Sequence, residues 1–550
     1  MRKARPVPET LKRKQEERMK QLMLGNAAVA RGLYEAGCCV ISSYPGTPST
    51  EITEEAVKFP EIYCEWAPNE KVALETAFGA CLAGKRAFCA MKHVGLNVAA
   101  DPLYTMAYTG VNAGLVIGVA DDPGMHSSQN EQDSRHHAIA AKVPMLEPSD
   151  SAEALEFAKL AYTISEQFDT PVLLKMCTRV AHSQSLVETS SRTEPECKPY
   201  EKNIGKYVMM PGNAIRRHPF VEQRTQKLQE WAETAPINRV EMGGTKVGVI
   251  TSSTSYQYVK EVFGDTVSVL KLGMANPLPV RLIQEFACKV EKLVVVEEMD
   301  PILENHCKAL GLTVSGKDVL PMEGEFSQNL IEEKLGGTVH TGRSIEDVIP
   351  PRPPVMCAGC PHRGLFYTLS KQKCTVLGDI GCYTLGAVAP LAAMDMTLCM
   401  GASISAVHGF NKARGAEAEG KTVAVIGDST FMHSGMTGLA NIAYNQSNST
   451  VIILDNSITG MTGHQQNPTT GYNIKGDPAG KIDLVALCRA MGFQRVRVVD
   501  PYDLKAVGTA VKEELAVAEP SVIISRRPCA LLKYVKHEAP LTVDPVKCVG

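Results

Sequence analysis

Two stretches of this sequence each end in a side chain that can ligate a hard metal ion. Asp428 follows the apolar run 423–426, and Asn456 follows the apolar run 451–454 after one further aspartate. Each run is typical of a buried strand, and the segment between them is long enough for a helix. The carboxyl ends of neighbouring parallel strands are where open α/β sheets bind ligands. A carboxylate and an amide oxygen suit octahedral Mg²⁺, with a diphosphate supplying further oxygens.

Neighbouring residues extend this predicted magnesium–diphosphate site. Gly427 is expected to let the backbone turn tightly under a phosphate, and Ser429 completes the Gly-Asp-Ser triplet. The segment 430–435 begins a helix whose amide N–H groups could face the phosphates. His433 could donate to a phosphate or polarise a substrate, or it could be structural. The alternative for the triplet is an ordinary turn at a strand end, which is the commoner use of such residues.

The spacing of Asp428 and Asn456 resembles the Mg²⁺-diphosphate motif of thiamine diphosphate enzymes. That resemblance implies thiamine diphosphate and Mg²⁺ as cofactors, with the carbonyl of Ile458 as a third protein ligand of the metal. It also implies a carboxylate from another domain that hydrogen-bonds the aminopyrimidine of the cofactor. Glu70 is the candidate and Glu75 its competitor. A glutamate at a helix start can also serve only to stabilise the helix dipole.

Composition bounds the class of protein that carries this site. The chain has 550 residues, which indicates three or four domains, and its 57 Lys plus Arg nearly balance 60 Asp plus Glu. A net charge this close to zero creates no electrostatic field that attracts nucleic acid or a membrane surface. The basic N-terminus has no apolar segment typical of a secretory signal. The 17 cysteines then favour a reducing, cytoplasmic setting with mostly buried thiols.

Alternating helix and strand patterns predict an α/β fold of three α/β domains with mainly parallel sheets. The segment 186–240 loses the strand rhythm and is expected to be a linker or a structured crossover, and the proline-rich segment 349–354 marks a boundary. The predicted boundaries are a basic N-terminal arm at 1–21, a first domain at 22–185, the linker or crossover at 186–240, a second domain at 241–349, a third at 355–536, and a terminal segment at 537–550.

Several longer motifs are more specific than the metal pair. The sequence is similar, over about 22–550, to the alpha subunits of indolepyruvate ferredoxin oxidoreductases in the 2-oxoacid:ferredoxin oxidoreductase superfamily. The motifs that carry the resemblance are Tyr44-Pro45-Gly46-Thr47-Pro48-Ser49, Glu65-Trp66-Ala67-Pro68-Asn69-Glu70-Lys71, His126-Ser127-Ser128-Gln129-Asn130-Glu131-Gln132-Asp133, Cys360-Pro361-His362-Arg363-Gly364, Gly378-Asp379-Ile380-Gly381-Cys382 and Met461-Thr462-Gly463-His464-Gln465. By this resemblance the three domains are a pyrimidine-binding domain, a transketolase C-terminal-like domain and a diphosphate-binding domain.

The resemblance implies an anaerobic reaction of amino-acid catabolism. An aryl pyruvate, such as indolepyruvate, loses CO₂ and forms an arylacetyl-CoA with coenzyme A, and the electrons pass through iron–sulfur clusters to ferredoxin. Glu70 maps onto the glutamate that activates the cofactor, and Thr47 onto the threonine near the substrate carboxylate. A beta subunit completes the active form, and a homodimer of alpha subunits is expected within the hetero-oligomer. The sequence assigns no residue to the aryl pocket, for which His93, Asn97 and Gln129 are candidate liners.

Cysteine spacing suggests where the electrons leave. Related oxidoreductases hold a proximal [4Fe–4S] cluster with four thiolates in a similar order, which makes candidates of Cys357, Cys360, Cys382 and Cys529. The alternatives are a structural remnant of such a site and, less favoured, a zinc site. The family normally continues into a ferredoxin-like module, and 537–550 resembles the lead-in to it. Cys548 is the expected first ligand of that missing module.

Two other functions use the same cofactor residues. A non-oxidative 2-oxoacid decarboxylase would release an aldehyde, but the domain order and the Cys357/Cys360 pair argue against it. A non-catalytic assembly or sensor protein could keep the pocket for structure only. The presence of both Glu70 and Asp428 makes that reading the weaker one.

Overall fold

Three mainly parallel sheets form the framework of the chain, as a computed structural model of residues 19–336, 348–537, 539 and 542–548 shows. The chain divides into two units, Met1–Ile345 and Glu346–Gly550. Two of the sheets lie in the first unit and one in the second. The predicted fold class is therefore confirmed.

The strands, numbered in chain order, are β1 Met19–Leu24, β2 Val40–Ser43, β3 Tyr63–Trp66, β4 Ala87–Lys92, β5 Leu115–Asp121, β6 Met145–Leu146, β7 Val172–Cys177, β8 Gln184–Thr189, β9 Arg239–Glu241, β10 Val247–Ser252, β11 Ser268–Leu272, β12 Met274–Asn276, β13 Lys292–Val296, β14 Val314–Ser315, β15 Thr375–Leu377, β16 Thr422–Gly427, β17 Thr450–Asp455, β18 Arg495–Val499 and β19 Ser521–Arg526.

The helices of the first unit are Gly25–Glu35, Thr50–Ala56, Glu70–Leu82, His93–Val98, Ala100–Thr109, Arg135–Ala141, Ser151–Phe168, Thr178–His182, Ile204–Tyr207, Pro211–Ala232, Ser255–Phe263, Arg281–Ala287, Ile302–Ala309 and Gln328–Leu335. Those of the second unit are His362–Lys371, Cys382–Ala387, Ala402–Arg414, Gly415–Glu417, the continuous run Asp428–Thr430, Phe431–Gly435 and Met436–Tyr444, then Leu484–Ala490 and Leu504–Leu515.

The largest sheet has the order β12-β6-β7-β5-β4-β2-β3, and only β12 runs antiparallel to its neighbour. Its central strands β4, β5 and β7 are buried at every position. Helices cover both faces of such a sheet, so near-continuous apolar runs are what parallel strands require. Polar residues therefore collect at the carboxyl ends, where β4 ends at Lys92 and β5 at Asp121.

The second sheet has the order β14-β13-β10-β11-β9, with β9 antiparallel to β11. The strand that follows β11, β12, leaves this sheet and pairs with β6 in the first. A buried ion-pair group also joins the two halves of the unit, because Arg135 pairs with both Asp133 and Glu297. The two mainly parallel sheets of the first unit are thus joined by strand β12 and by this buried ion-pair group.

The segment 186–240 carries more structure than its polar composition indicated. It contains most of β8, which pairs antiparallel with β1, and the long helix Pro211–Ala232. Arg224 anchors this helix because its buried guanidinium donates to the carbonyls of Asp169 and Ala107. The loss of strand rhythm in the sequence hides β8, because its partner, β1, comes from near the N-terminus.

The N-terminal arm was expected to end at residue 21, but 19–21 already belong to strand β1. Residues 1–18 lie outside the described residues, as do 337–347 beside the predicted boundary at 349 and some of 537–550. The other domain boundaries stay predictions.

In the second unit the sheet order is β15-β16-β17-β19-β18, and all its pairings are parallel. Strands β16 and β17 are fully buried, with Gly427 opposite Leu454 in register. That register brings the residues that follow both strands to the same edge of the sheet.

Candidate active site

Asp428 is a buried carboxylate at the carboxyl end of β16 and is only 2% exposed. Its Oδ1 accepts from the amide of Ser429 at 2.8 Å, and its Oδ2 accepts from the hydroxyl of Thr469 at 3.1 Å. Burial, with the charge of Asp455 second, raises the pKa of Asp428 to about 7. A buried anion beside a second carboxylate is an environment in which a divalent cation would compensate for the lost hydration.

Asn456 lies immediately beyond β17 and is also buried. Its Oδ1 accepts from the amide of Ile458 at 3.3 Å, which closes a short turn directly after the strand. The adjacent Asp455 is held apart by Arg526, whose Nε donates to it at 2.7 Å. Asp428 and Asn456 thus follow adjacent strands at one edge of the sheet, and their joint role as metal ligands stays a prediction.

Gly427 lies against the ring of Tyr383. Its backbone is extended, with φ −75° and ψ 159°, which any residue can adopt. A Cβ atom there would lie 2.7 Å from Cε1 of Tyr383. The absence of a side chain at Gly427 therefore makes room for the tyrosine ring, and its place under a phosphate stays a prediction.

His433 and Ser429 follow Asp428 on one continuous helical run. The turn Phe431–Gly435 has the wider π-helical spacing, a form that often occurs at functional sites. His433 is buried, and its Nδ1 lies 2.7 Å from the hydroxyl of Ser434. The hydroxyl of Ser429 accepts from Thr459 at 2.9 Å. Both side chains are thus positioned by neighbours on the second unit.

Glu70 is the first residue of the helix Glu70–Leu82 in the first unit and is 5% exposed. Asn69 caps this helix by accepting from the amide of Val72 at 2.9 Å. The backbone of Gly95 approaches so closely that a Cβ on it would lie 2.6 Å from Oε1 of Glu70. Glu75, by contrast, is exposed and pairs with Lys71. Burial therefore favours Glu70 over its competitor for work inside a cofactor pocket.

Thr47 lies in the loop after β2, half-buried, and its carbonyl is 3.5 Å from the hydroxyl of Ser127. Among the candidate pocket liners, His93 is completely buried. Asn97 and Gln129 are exposed, and Asn97 hydrogen-bonds Gln132 at 2.9 Å. Only His93 of these three has the burial expected of an interior pocket.

The four candidate cluster cysteines line one cavity of about 250 Å³ in the second unit, together with His362, Asn456 and His464. The Cys529 amide donates to the carbonyl of Asn456 at 2.9 Å, so the thiol cavity adjoins the predicted metal ligand. Burial raises the pKa of Cys360, and it raises the pKa of Cys382 to about 11. Iron would displace these protons on binding, so the donor set fits a cluster chemically.

The geometry of the thiols does not amount to a ready-made ligand cage. Over the described residues, no group of three or more His, Cys, Asp or Glu side chains is close enough to hold one metal ion. Cys548 is exposed near the end of the chain. The same part of the chain contains no helix long and apolar enough to cross a membrane.

Several residues that shape the site were not identified from sequence. Asp379, buried after β15, accepts from the amides of Gly401 and Ser403 and so fixes the start of the helix Ala402–Arg414. His362 lies 3.5 Å from Asn456, and burial lowers its pKa to about 4. Both residues lie in the family motifs given above, and these motifs are the sequence signal that could have identified them. Their hydrogen-bond partners are far along the chain, so local spacing could not.

Two family models match the chain. One, described as pyruvate flavodoxin/ferredoxin oxidoreductase, thiamine diP-bdg, matches residues 31–239. The other, described as thiamine pyrophosphate enzyme, C-terminal TPP binding domain, matches residues 379–525. The second range contains Asp428 and Asn456, and the first contains Glu70 and Thr47.

Curated relatives cover nearly all of the chain. Indolepyruvate oxidoreductase subunit IorA of Archaeoglobus fulgidus is 40% identical over 93% of this chain and 87% of its own length. The protein of the same name from Thermococcus kodakarensis is 41% identical over 93% of this chain and 86% of its own. A solved 2-oxoglutarate:ferredoxin oxidoreductase from Magnetococcus marinus is 19% identical, with a TM-score of 0.50 over 58% of this chain and 65% of that one. That likeness supports the fold.

Proposed function

Because this chain belongs to the family of indolepyruvate oxidoreductase IorA subunits, we propose that it catalyses the oxidative decarboxylation of aryl pyruvates. Membership makes it a subunit of a thiamine diphosphate-dependent 2-oxoacid oxidoreductase, so the predicted family and this cofactor are confirmed. The proposed substrates are of the indolepyruvate type, the products are an arylacetyl-CoA and CO₂, and the electrons go to ferredoxin.

The observation that carries the proposal is the pair of oxygen donors at adjacent strand ends. Asp428 and Asn456 follow β16 and β17, inside the range that matches a thiamine-binding domain. We assign Mg²⁺ to these two side chains and the carbonyl of Ile458. Gly427, Ser429 and His433 are the proposed contacts to the diphosphate, because they lie on the same edge and helical run.

Thiamine diphosphate, when bound, supplies a nucleophilic carbon and an electron sink, while the protein supplies orientation and electrostatics. Glu70 is proposed to hydrogen-bond the aminopyrimidine and so to help remove the proton from C2 of the thiazolium. Its burial keeps water from competing for the carboxylate, and the backbone of Gly95 limits where the carboxylate can move. Thr47 is proposed to contact the substrate carboxylate.

Electron exit is proposed through a [4Fe–4S] cluster on Cys357, Cys360, Cys382 and Cys529. Support comes from their shared cavity and from the contact between Cys529 and the loop of Asn456, which brings the thiols beside the proposed cofactor ligands. A zinc site on the same thiols remains the alternative, but zinc has no redox chemistry to offer this step. Cys548 is proposed as a ligand of a further cluster.

Partners follow from the same family. Relatives are named as subunits, among them IorA and the 2-oxoglutarate synthase subunit KorA of Archaeoglobus fulgidus. We propose a beta subunit, ferredoxin and a second alpha subunit as partners in the cytoplasm. Coenzyme A is the proposed acyl acceptor, supported by the Magnetococcus marinus enzyme, whose structure is described with coenzyme A bound.

Anaerobic co-expression with a beta subunit tests the proposal. The complex receives thiamine diphosphate, Mg²⁺, coenzyme A and either indolepyruvate or phenylpyruvate, and viologen reduction is followed beside product formation. Two viologens reduced per arylacetyl-CoA are expected. Aldehyde release without viologen reduction would instead identify a non-oxidative decarboxylase. Bound cofactor without any turnover would favour a structural role.

A further inference from the structure

Two loops of the first unit meet around the junction of Lys92 and His93. Lys92 ends strand β4, and His93 begins the helix His93–Val98. A Cβ on Gly46, in the Thr47 loop after β2, would lie 3.1 Å from Cβ of Lys92. On the other side, the Lys92 ammonium donates to the carbonyl of Ser127 at 2.7 Å. The lysine therefore lies between the Thr47 loop and the loop that follows β5.

Lys92 is a cation with spare hydrogen-bonding capacity. It is 8% exposed, and burial lowers its pKa, while the charge of Asp122 opposes that shift. Asp122 already accepts from the amide of Ser127 at 2.8 Å and from the hydroxyls of Ser128 at 2.5 Å and Thr178 at 2.7 Å. Among the described residues no carboxylate pairs directly with Lys92. An ammonium has three donors, so two can serve a ligand.

His93 is the second unsatisfied group at this junction. Its side chain is 0% exposed, and neither Nδ1 nor Nε2 has a hydrogen-bond partner in the part of the chain that the structure describes. Buried polar atoms are nearly always paired, so this histidine calls for a ligand or an ordered water. It precedes by two residues Gly95, whose backbone packs on the Glu70 carboxylate.

We propose that Lys92 binds the carboxylate of the 2-oxo acid and that His93 donates to its 2-oxo oxygen. This inference rests on the proposed function and deepens it. A 2-oxo acid presents one negative charge and an adjacent neutral acceptor, which match an ammonium and a ring N–H on consecutive residues. Lys92 also touches the loop of Thr47, the residue assigned to the substrate carboxylate by family resemblance. Lys92 and His93 are thus substrate-binding residues of the site that Glu70 serves.

The test compares variants of Lys92 in the complete complex. Lys92→Met removes the charge and is expected to raise the KM for phenylpyruvate about ten- to a hundredfold, with a smaller change in kcat. Lys92→Arg should recover most of the loss because the charge returns. Lys58→Met is the matched control, since Lys58 is an exposed lysine of the same unit paired with Glu55, and its KM should stay within twofold of wild type.

A binding measurement separates this inference from the proposed function. Calorimetry with an unreactive thiamine diphosphate analogue compares phenylpyruvate with phenylacetaldehyde, which lacks the carboxylate. Lys92→Met should weaken the binding of phenylpyruvate only. His93→Leu should weaken the binding of both ligands, whereas His93→Gln keeps a hydrogen-bond donor and should restore much of the affinity. If Lys92→Met does not fold, Lys92→Gln replaces it.

The role of Lys92 is refuted if folded Lys92→Met or Lys92→Gln binds phenylpyruvate as tightly as wild type does. It is also refuted if either variant loses the same fraction of its affinity for both ligands. Absence of turnover in a wild-type complex that still binds phenylpyruvate through Lys92 would count against the proposed function alone.

Discussion

The contact between Gly95 and Glu70 gives a sharp test of how the activating carboxylate is held. In Gly95→Ala the new methyl would lie 2.6 Å from Oε1 and 2.6 Å from Cγ of Glu70, whereas ordinary contact begins at 3.4 Å. Gly95 lies within a helix without a positive φ, so alanine itself is compatible with the backbone. The strain therefore falls on the Glu70 side chain.

The magnitude follows from that overlap. Glu70 must retreat by about 0.8 Å to restore contact distance, and a displacement of about 1 Å in a catalytic arrangement can cost about a hundredfold in rate. The energetic effects on folding partly cancel. Overpacking costs about 1–3 kcal/mol, while replacing a helical glycine by alanine returns about 0.5–1 kcal/mol. We expect kcat to fall about ten- to a hundredfold with only a small change in melting temperature.

The assay is viologen reduction by the complete complex at saturating cofactor and substrate. Gly79→Ala is the control, because Gly79 lies in the same helix as Glu70 and a Cβ there meets nothing within 4 Å. That variant should keep full activity and gain slight stability. If Gly95→Ala retains kcat within twofold of wild type, the position of the Glu70 carboxylate does not set the rate and the assignment fails.

Three further predictions concern the metal, the cysteines and a buried acid. Asp428→Ala should weaken Mg²⁺-dependent binding of thiamine diphosphate by at least about tenfold in calorimetry. Asp483→Ala, which removes only a helix cap, should leave this affinity unchanged. Equal affinities of the two variants for the cofactor would refute the role of Asp428 as a metal ligand. Cys360→Ser should lower the iron and sulfide content of anaerobically reconstituted protein. Cys374→Ser, which lies outside the thiol cavity, should not lower it. An unchanged iron content in both variants would refute the proposed cluster. Burial raises the pKa of Glu298 from 4.5 to about 7, so between these pH values the folded state binds one more proton than the unfolded state. The bound proton contributes on the order of 3 kcal/mol to the free energy of unfolding. This contribution is lost as the pH rises from 4.5 through 7. Glu298→Gln should flatten that part of the melting temperature against pH, and parallel curves for the two proteins would contradict the reasoning.

The strand ends of the second unit could be predicted because local signals agree there. Buried runs of Val and Ile in β16 and β17 stop at Gly427 and at Asp455, and polar side chains follow at once. Hydrophobic patterning and turn chemistry therefore pointed to the same edge. Asp428 and Asn456 were identified from this pattern.

Contacts between distant segments could not be predicted in the same way. The helix Pro211–Ala232 has an interior proline and a mostly polar surface, and it is held by Arg224 through carbonyls far along the chain. The fit of Gly427 against Tyr383 likewise depends on the fold, and so does that of Gly95 against Glu70. A glycine in the sequence shows that a side chain is absent but not which neighbour occupies the space.

Glu70 is proposed to activate the thiamine diphosphate that this protein binds. Exchange of the cofactor C2 proton for deuterium, measured by quenched-flow and NMR, tests it before any substrate or electron acceptor is involved. In wild type the exchange is expected to be far faster than for free cofactor, and Glu70→Gln should lose that acceleration while thiamine diphosphate still binds with Mg²⁺. Equal exchange rates in wild type and Glu70→Gln, at the same cofactor occupancy, would rule out this role of Glu70.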